Sequence, residues 1–432
     1  RVGRAVQPSG RGGDTKHFHF VLSLAALTRK GPRMKTWLGL STLLVTTLSL
    51  GCYSKSALPK AETADDAPTW YRDIKPIVAQ RCAGCHTAQG IGPFTLSSYE
   101  QAQSKAAALA DSVQSRRMPP WMPSADCQQF SPDRRLSQHE IDQFVTWAKN
   151  GAPLGNPADD KAVPPQKVSL DNPSATLDWG TAYTPNSAKN DDYHCFLIDP
   201  KLQKDQDLIA YEFAPDQRHE VHHALIFSAP LSDAQAKDDA TPGLGWPCSG
   251  SSDVKSAELV ATWVPGETYT EFPTGTGIRL GAGRALVAQL HYNTRHGVAP
   301  DLSKLKLRYA ERPVPNRASI LPIANTSFVI KPKEQGATAV ASSGPLPLSL
   351  KVWGVFPHMH EMGRTGKVVA GNNCLIEIPQ WQFHWQQMYF YKDDGLTIPK
   401  GTDVKYTCTW DNPTDRTVRF GEGTEDEMCI AF

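Results

Sequence analysis

From about Thr176 to the C-terminus the chain is a succession of short runs rich in valine, isoleucine, threonine and aromatic residues, punctuated by glycine and proline. HALIF (223–227), RALVAQLHYN (284–293), SLKVWGVF (349–356), DVKYTCTW (403–410) and EMCIAF (427–432) are the clearest. Such residues suit a pleated, half-buried surface, and no long amphipathic helix lies between the runs. The expected build is all-β, of sandwich or jelly-roll type, in two domains at 176–312 and 313–432. At 432 residues the chain exceeds the roughly 100 to 200 of one domain. Its 45 lysines and arginines balance 44 aspartates and glutamates, so no global field draws it to nucleic acid.

Histidines fall on or beside these runs as HEVHH (219–223), His291 in AQLHYN, and His358 with His360 in VFPHMHEMG. On an extended strand residues two apart share a face, so His358 and His360 converge while Met359 points away. His222 and His223 are adjacent and converge only through a twist or bulge. His139, His194, His219, His296 and His384 are read as ordinary core or surface histidines. Imidazoles suit zinc, copper, iron and nickel alike; a thioether ligand and an oxidising compartment turn the choice to copper.

The part before the strands is different. CAGCH (82–86) offers two thiols for thioether bonds to haem vinyl groups and a histidine for the iron. A helix is expected before it, with Trp70, Ile74, Ile77 and Val78 inward. Ser137 and Glu140 form a capping-box pattern opening a second helix, with Ile141, Phe144, Val145 and Ala148 on one face and Gly151 and Pro153 stopping it. Over 67–154 this resembles a class I cytochrome c, an all-α unit, and the resemblance implies Cys82, Cys85 and His86 as attachment and ligand residues of one covalent haem c. Met118 in RRMPPWMPS is the expected sixth ligand, leaving Met122 to pack against the porphyrin. Zinc at Cys82 and Cys85 lacks a second thiol pair nearby. Residues 155–175 read as a linker.

MKTWLGLSTLLVTTLSLGC (34–52) begins like a secretory signal, its apolar stretch shorter than the roughly 20 residues of a membrane-spanning helix. Residues 1–33 are read as an upstream, non-native extension. LSLGC resembles a bacterial lipoprotein box with Cys52 lipidated, implying a periplasmic or cell-surface protein anchored to the outer membrane.

Taken in order, DDYHC (191–195), VHH (221–223), QLHY (289–292), HMH (358–360) and EMC (427–429) resemble the copper type II, ascorbate-dependent monooxygenases, the family of peptidylglycine α-hydroxylating monooxygenase and dopamine β-hydroxylase. The resemblance implies two copper ions: an electron-transfer copper on His222, His223 and His291, and a catalytic copper on His358, His360 and Met428. It implies hydroxylation of a C–H bond of a small molecule with O2, with electrons from an ascorbate-like reductant or a redox protein. The fused haem offers a source for them; the alternative is a non-catalytic periplasmic copper carrier. Gln289 and Tyr193 match family positions beside the first copper. Of nine cysteines, the resemblance pairs Cys195 with Cys248 and Cys408 with Cys429. Cys127 and Cys374 remain, expected as buried free thiols, with a bridge between them as the alternative. Where peptide-hydroxylating members carry an arginine and a tyrosine for a substrate carboxylate, this chain has Phe356 and Phe432. Together with Trp381 and Trp385 they imply a hydrophobic or aromatic substrate rather than an anion.

Overall fold

The computed structural model describes residues 67–432 apart from 89, 91, 162, 165, 166, 249, 266, 296 and 424. Cys52, the 34–52 segment, residues 1–33 and His296 lie outside the described residues. Among the described residues no helix is long and apolar enough to cross a membrane.

The N-terminal module is helical. Trp70–Ile74, Lys75–Ile77 and Val78–Cys82 abut as one helical stretch, wound wider than an α-helix at both ends. Its Trp70, Ile74, Ile77 and Val78 are buried, as their spacing predicts. The helix Gln138–Lys149 opens on the expected capping box, with Ser137 Oγ accepting from Glu140 N and the Glu140 carboxylate accepting from Ser137 N. Its buried face is Ile141, Phe144 and Trp147; Val145 and Ala148 are only half-buried, because the 3.6-residue period carries the inward stripe onto Trp147. Gly151 follows at φ +78°, a left-handed turn that suits glycine and ends the helix.

After a connecting segment, two sheets pack face to face. One runs in the order Trp246–Pro247, Asp191–Ile198, Arg284–Asn293, Val221–Pro230, Glu258–Trp263, all antiparallel. The other orders Ala175–Leu177, Lys304–Tyr309, Gln206–Ala214, Thr276–Leu280 and Asn316–Arg317. Phe196, Ile226 and Leu290 from the first meet Leu208, Phe213 and Leu307 from the second in one core. The nine-residue helix Leu231–Asp239, which the sequence did not announce, buries little beyond Ala234.

The second sandwich has one regular sheet, in the order Ala337–Pro345, Asp403–Trp410, Gly363–Ala370, Asn373–Ile378. Its opposite side is built from fragments of two or three residues, including Ile323–Ala324, Pro357–His358 and Ile430–Ala431 paired together. The expected strand 349–356 is therefore two pieces, Leu350–Val352 and Gly354–Val355, which pair with different partners. EMCIAF contributes only Ile430–Ala431.

Cysteines correct one expectation. Cys195–Cys248 and Cys408–Cys429 are disulfides, as the resemblance implied, but Cys127 and Cys374 are bridged too, not free. The bridge fits a docked module: Phe130 packs in the core of the second sandwich, Ser124 N donates to Glu377 O at 2.7 Å, and Gln128 Nε2 donates to Cys374 O at 2.8 Å.

Candidate metal centres

His222 and His223 enter on the strand Val221–Pro230 and His291 on its neighbour Arg284–Asn293. Val221 faces Tyr292 and His223 faces His291, so His222 is an extra residue opposite no partner. This is the bulge that two adjacent histidines require to turn toward one point. The ligand atoms of His222, His223 and His291 all lie within 4.8 Å of one another. The two Nδ1 atoms of His222 and His223 approach to 3.4 Å. His291 Nε2 contacts Asp191 Oδ1 at 2.9 Å, while its Nδ1 is buried without a hydrogen-bond partner. An orphaned nitrogen aimed at two other imidazoles is costly unless a cation completes it.

Around this cluster, Tyr193 stacks on His291 at 4.1 Å, and its hydroxyl donates to the Glu422 carbonyl of the second sandwich. Gln289 is fully buried with neither amide atom hydrogen-bonded. Burial, reinforced by the neighbouring imidazoles, holds His222 and His223 well below the usual histidine range; burial lowers His291 against the pull of Asp191. All three are neutral at pH 7, the form that ligates metal.

In the second sandwich His358 and His360 share a face, and Met359 between them is wholly buried on the other. His358 Nδ1 donates to Gln386 Oε1 at 2.7 Å and His360 Nδ1 to the Asp426 carbonyl at 2.9 Å. Those bonds fix the tautomer and leave both Nε2 atoms available for a ligand role. Burial depresses the two rings to about 4 and about 3. His358 pairs with Ile430, and the buried Met428 lies two residues before that pairing on the same segment. Glu427 holds this arrangement: its buried carboxylate accepts from His360 N at 2.9 Å, Met362 N at 2.7 Å and Trp410 Nε1 at 2.8 Å. The Cys408–Cys429 bridge braces the residue after Met428.

Near the second cluster Phe356 lies 6.4 Å from His358 and 5.8 Å from Phe432, ring to ring. Trp381 Nε1 donates to the His360 carbonyl at 3.1 Å. No cation stands at positions 356 or 432 to meet a carboxylate.

In the helical module Cys82 and Cys85 are unbridged, and burial pushes the Cys82 thiol up to about 12. His86 is buried, its Nδ1 donating to Phe94 O at 3.0 Å, which leaves Nε2 for a ligand role. Gly92 runs so close that a side chain there would fall 2.6 Å from His86 Nδ1. Unbridged paired thiols beside a histidine of fixed tautomer fit a covalently attached haem. Met118 is half-buried. Met122 does not serve that module: it sits in the core of the second sandwich with Gln382 N donating to its sulfur at 3.2 Å, because the 121–130 segment turns outward to dock.

The remaining histidines among the described residues behave as ordinary residues. His194 is buried, bonded to Leu244 O at 2.6 Å and stacked on Tyr183; His139, His219 and His384 are exposed. Sequence reading missed Asp191, Gln386, Asp426 and Glu427. Asp191 and Glu427 carried a signal, as the acids opening DDYHC and EMC.

Residues 317–432 match the family model for the copper type II ascorbate-dependent monooxygenase C-terminal domain, the stretch that holds His358, His360 and Met428. No curated protein matches the chain. Among solved structures, a subviral particle of infectious bursal disease virus VP2 aligns at 10% identity over 61% of this chain and 78% of that one, with a TM-score of 0.16, too low to carry weight.

Proposed function

We propose that the chain is a copper-dependent monooxygenase that hydroxylates a C–H bond of a small, neutral, hydrophobic molecule with O2, drawing electrons through a c-type haem on its own N-terminal module. His222, His223 and His291 would hold one copper, and His358, His360 and Met428 the other. Cys82 and Cys85 would carry the haem, with His86 and Met118 as its axial ligands. Copper would supply the one-electron chemistry with dioxygen that side chains lack; with two electrons and two protons, one oxygen atom enters the C–H bond and the other leaves as water.

The chain's own residues prepare the two sites. Asp191 orients His291, and Gln386 and the Asp426 carbonyl orient His358 and His360, so each ring offers a chosen nitrogen. Burial keeps the imidazoles unprotonated. A thioether beside two imidazoles favours the reduced form of copper. Phe356 and Phe432 replace the polar grip an anionic substrate would need. Three disulfides accord with an oxidising compartment, and a lipid anchor at Cys52 on the outer membrane, in the periplasm or at the cell surface, belongs to the same proposal.

The observation that carries this reading is the pair of histidine clusters, one on each sandwich, whose nitrogens remain for a metal after their hydrogen bonds are made. Metal analysis with copper EPR and the haem spectrum of the purified chain test it. Two coppers and one haem per chain, with oxygen uptake that rises when substrate is added, are the expected result. Tightly bound zinc overturns it; copper and haem without substrate-dependent uptake make the chain a carrier.

A further inference from the structure

The segment from Trp381 to Met388 touches each functional region. Gln382 N reaches Met122 of the N-terminal module at 3.2 Å. Gln386 holds His358 by its Oε1 and the Phe383 carbonyl by its Nε2, at 2.7 and 2.8 Å. Met388 N donates to Glu267 of the first sandwich at 3.3 Å. At the middle, the turn Phe383–Trp385 projects Phe383 between the two histidine clusters. Its ring stacks on His222 at 5.2 Å and 29°, and meets His360 edgewise at 6.0 Å and 75°. Offset-stacked and edge-on contacts at such separations are the favourable ones for aromatic rings. The clusters thus stand one ring apart.

We propose that Phe383 is the positioning residue that sets the separation of the two metal centres, and that Met122 ties this spacing to the docking of the N-terminal module. The proposal rests on the copper reading above. Sandwiches joined by limited contacts shift relative to one another by default, so a ring gripped from both sides acts as the spacer. Removing it frees His222 and His360 to approach or drift. Removing the Met122 sulfur leaves the ring in place but loosens the segment that presents it.

The test is a pulsed EPR measurement of the Cu(II)–Cu(II) distance in the oxidised, copper-loaded full chain, for native protein, Phe383→Ala, Phe383→Tyr and Met122→Leu. A single narrow distribution is expected for the native chain and for Phe383→Tyr. Phe383→Ala should shift or broaden it severalfold with both coppers retained and each centre's own signal unchanged; Met122→Leu should broaden it less. An unaltered distribution in Phe383→Ala with two coppers bound overturns the proposal. Hydrogen exchange on the metal-free chain separates the two readings. Faster exchange in Phe383→Ala, but not in Phe383→Tyr, at both 221–224 and 358–362 supports the spacer even if copper does not bind; unchanged exchange there, in a chain that binds no copper, overturns both.

Discussion

The two histidine clusters reach similar ends by opposite means. The first stands on ten-residue strands inside a five-stranded sheet, and one bulge in an otherwise unbroken ladder brings its rings together. The second stands on a strand of two residues, Pro357–His358, and depends on side chains and a disulfide for what the backbone does not provide. A site held by a ladder tolerates the loss of a neighbour; a site held by single side chains does not. The same asymmetry shows in exposure: His358 is partly exposed, whereas His291 is sealed beneath Tyr193.

The strongest way to break this comparison is Glu427→Ala, which takes the acceptor from four N–H groups, those of His360, Met362, Met428 and the Trp410 ring, and should cost about 3 kcal/mol or more. Urea unfolding gives the loss, and metal analysis should show the second copper gone and the first kept. Equal loss at both clusters would erase the distinction. Next comes the double change Cys127→Ser with Cys374→Ser, whose bridge spans 247 residues. About 2 to 4 kcal/mol of stability should go, with the N-terminal module released from the second sandwich and the first sandwich unaffected in hydrogen exchange.

Smaller effects refine the contrast at the level of single rings. Asp191→Ala should weaken the first site, and Gln386→Leu the second, by roughly 10- to 100-fold in copper affinity by competitive chelator titration. The charged partner should matter more, so Asp191→Ala is expected to be the larger. Smallest is a pH effect at the join of the sandwiches. Burial pushes the Glu267 carboxyl up to about 7 from its ordinary 4.5. The folded chain therefore binds that proton more tightly than the unfolded one; the stabilisation is full below the unfolded value and is lost as pH rises toward about 7. Glu267→Gln should flatten that decline, by on the order of 1 kcal/mol, in unfolding measured across the same window.

Legibility in the sequence followed the same divide. β-branched and aromatic content announced the long strands, so RALVAQLHYN appears whole as Arg284–Asn293, and the adjacency of His222 and His223 by itself demanded a bulge. Alternation likewise put Met359 in the core. What stayed hidden was whatever depends on chain paths meeting late. Gln386 lies 28 residues from His358 in no pattern that marks it, and Glu427, though it opens EMC, lies 67 from the His360 it holds. Short fragments such as Gly354–Val355 carry too few residues to show a period. Met122 was misassigned because its neighbours in sequence serve the helical module while its side chain serves the second sandwich.

The Cys127–Cys374 bridge has one more consequence. It makes the 155–175 stretch dispensable as a physical attachment, since a covalent bond elsewhere already joins the flanking parts. A protease that nicks the chain there should yield two fragments on a reducing gel and a single band without reductant, and the nicked species should travel intact through size exclusion.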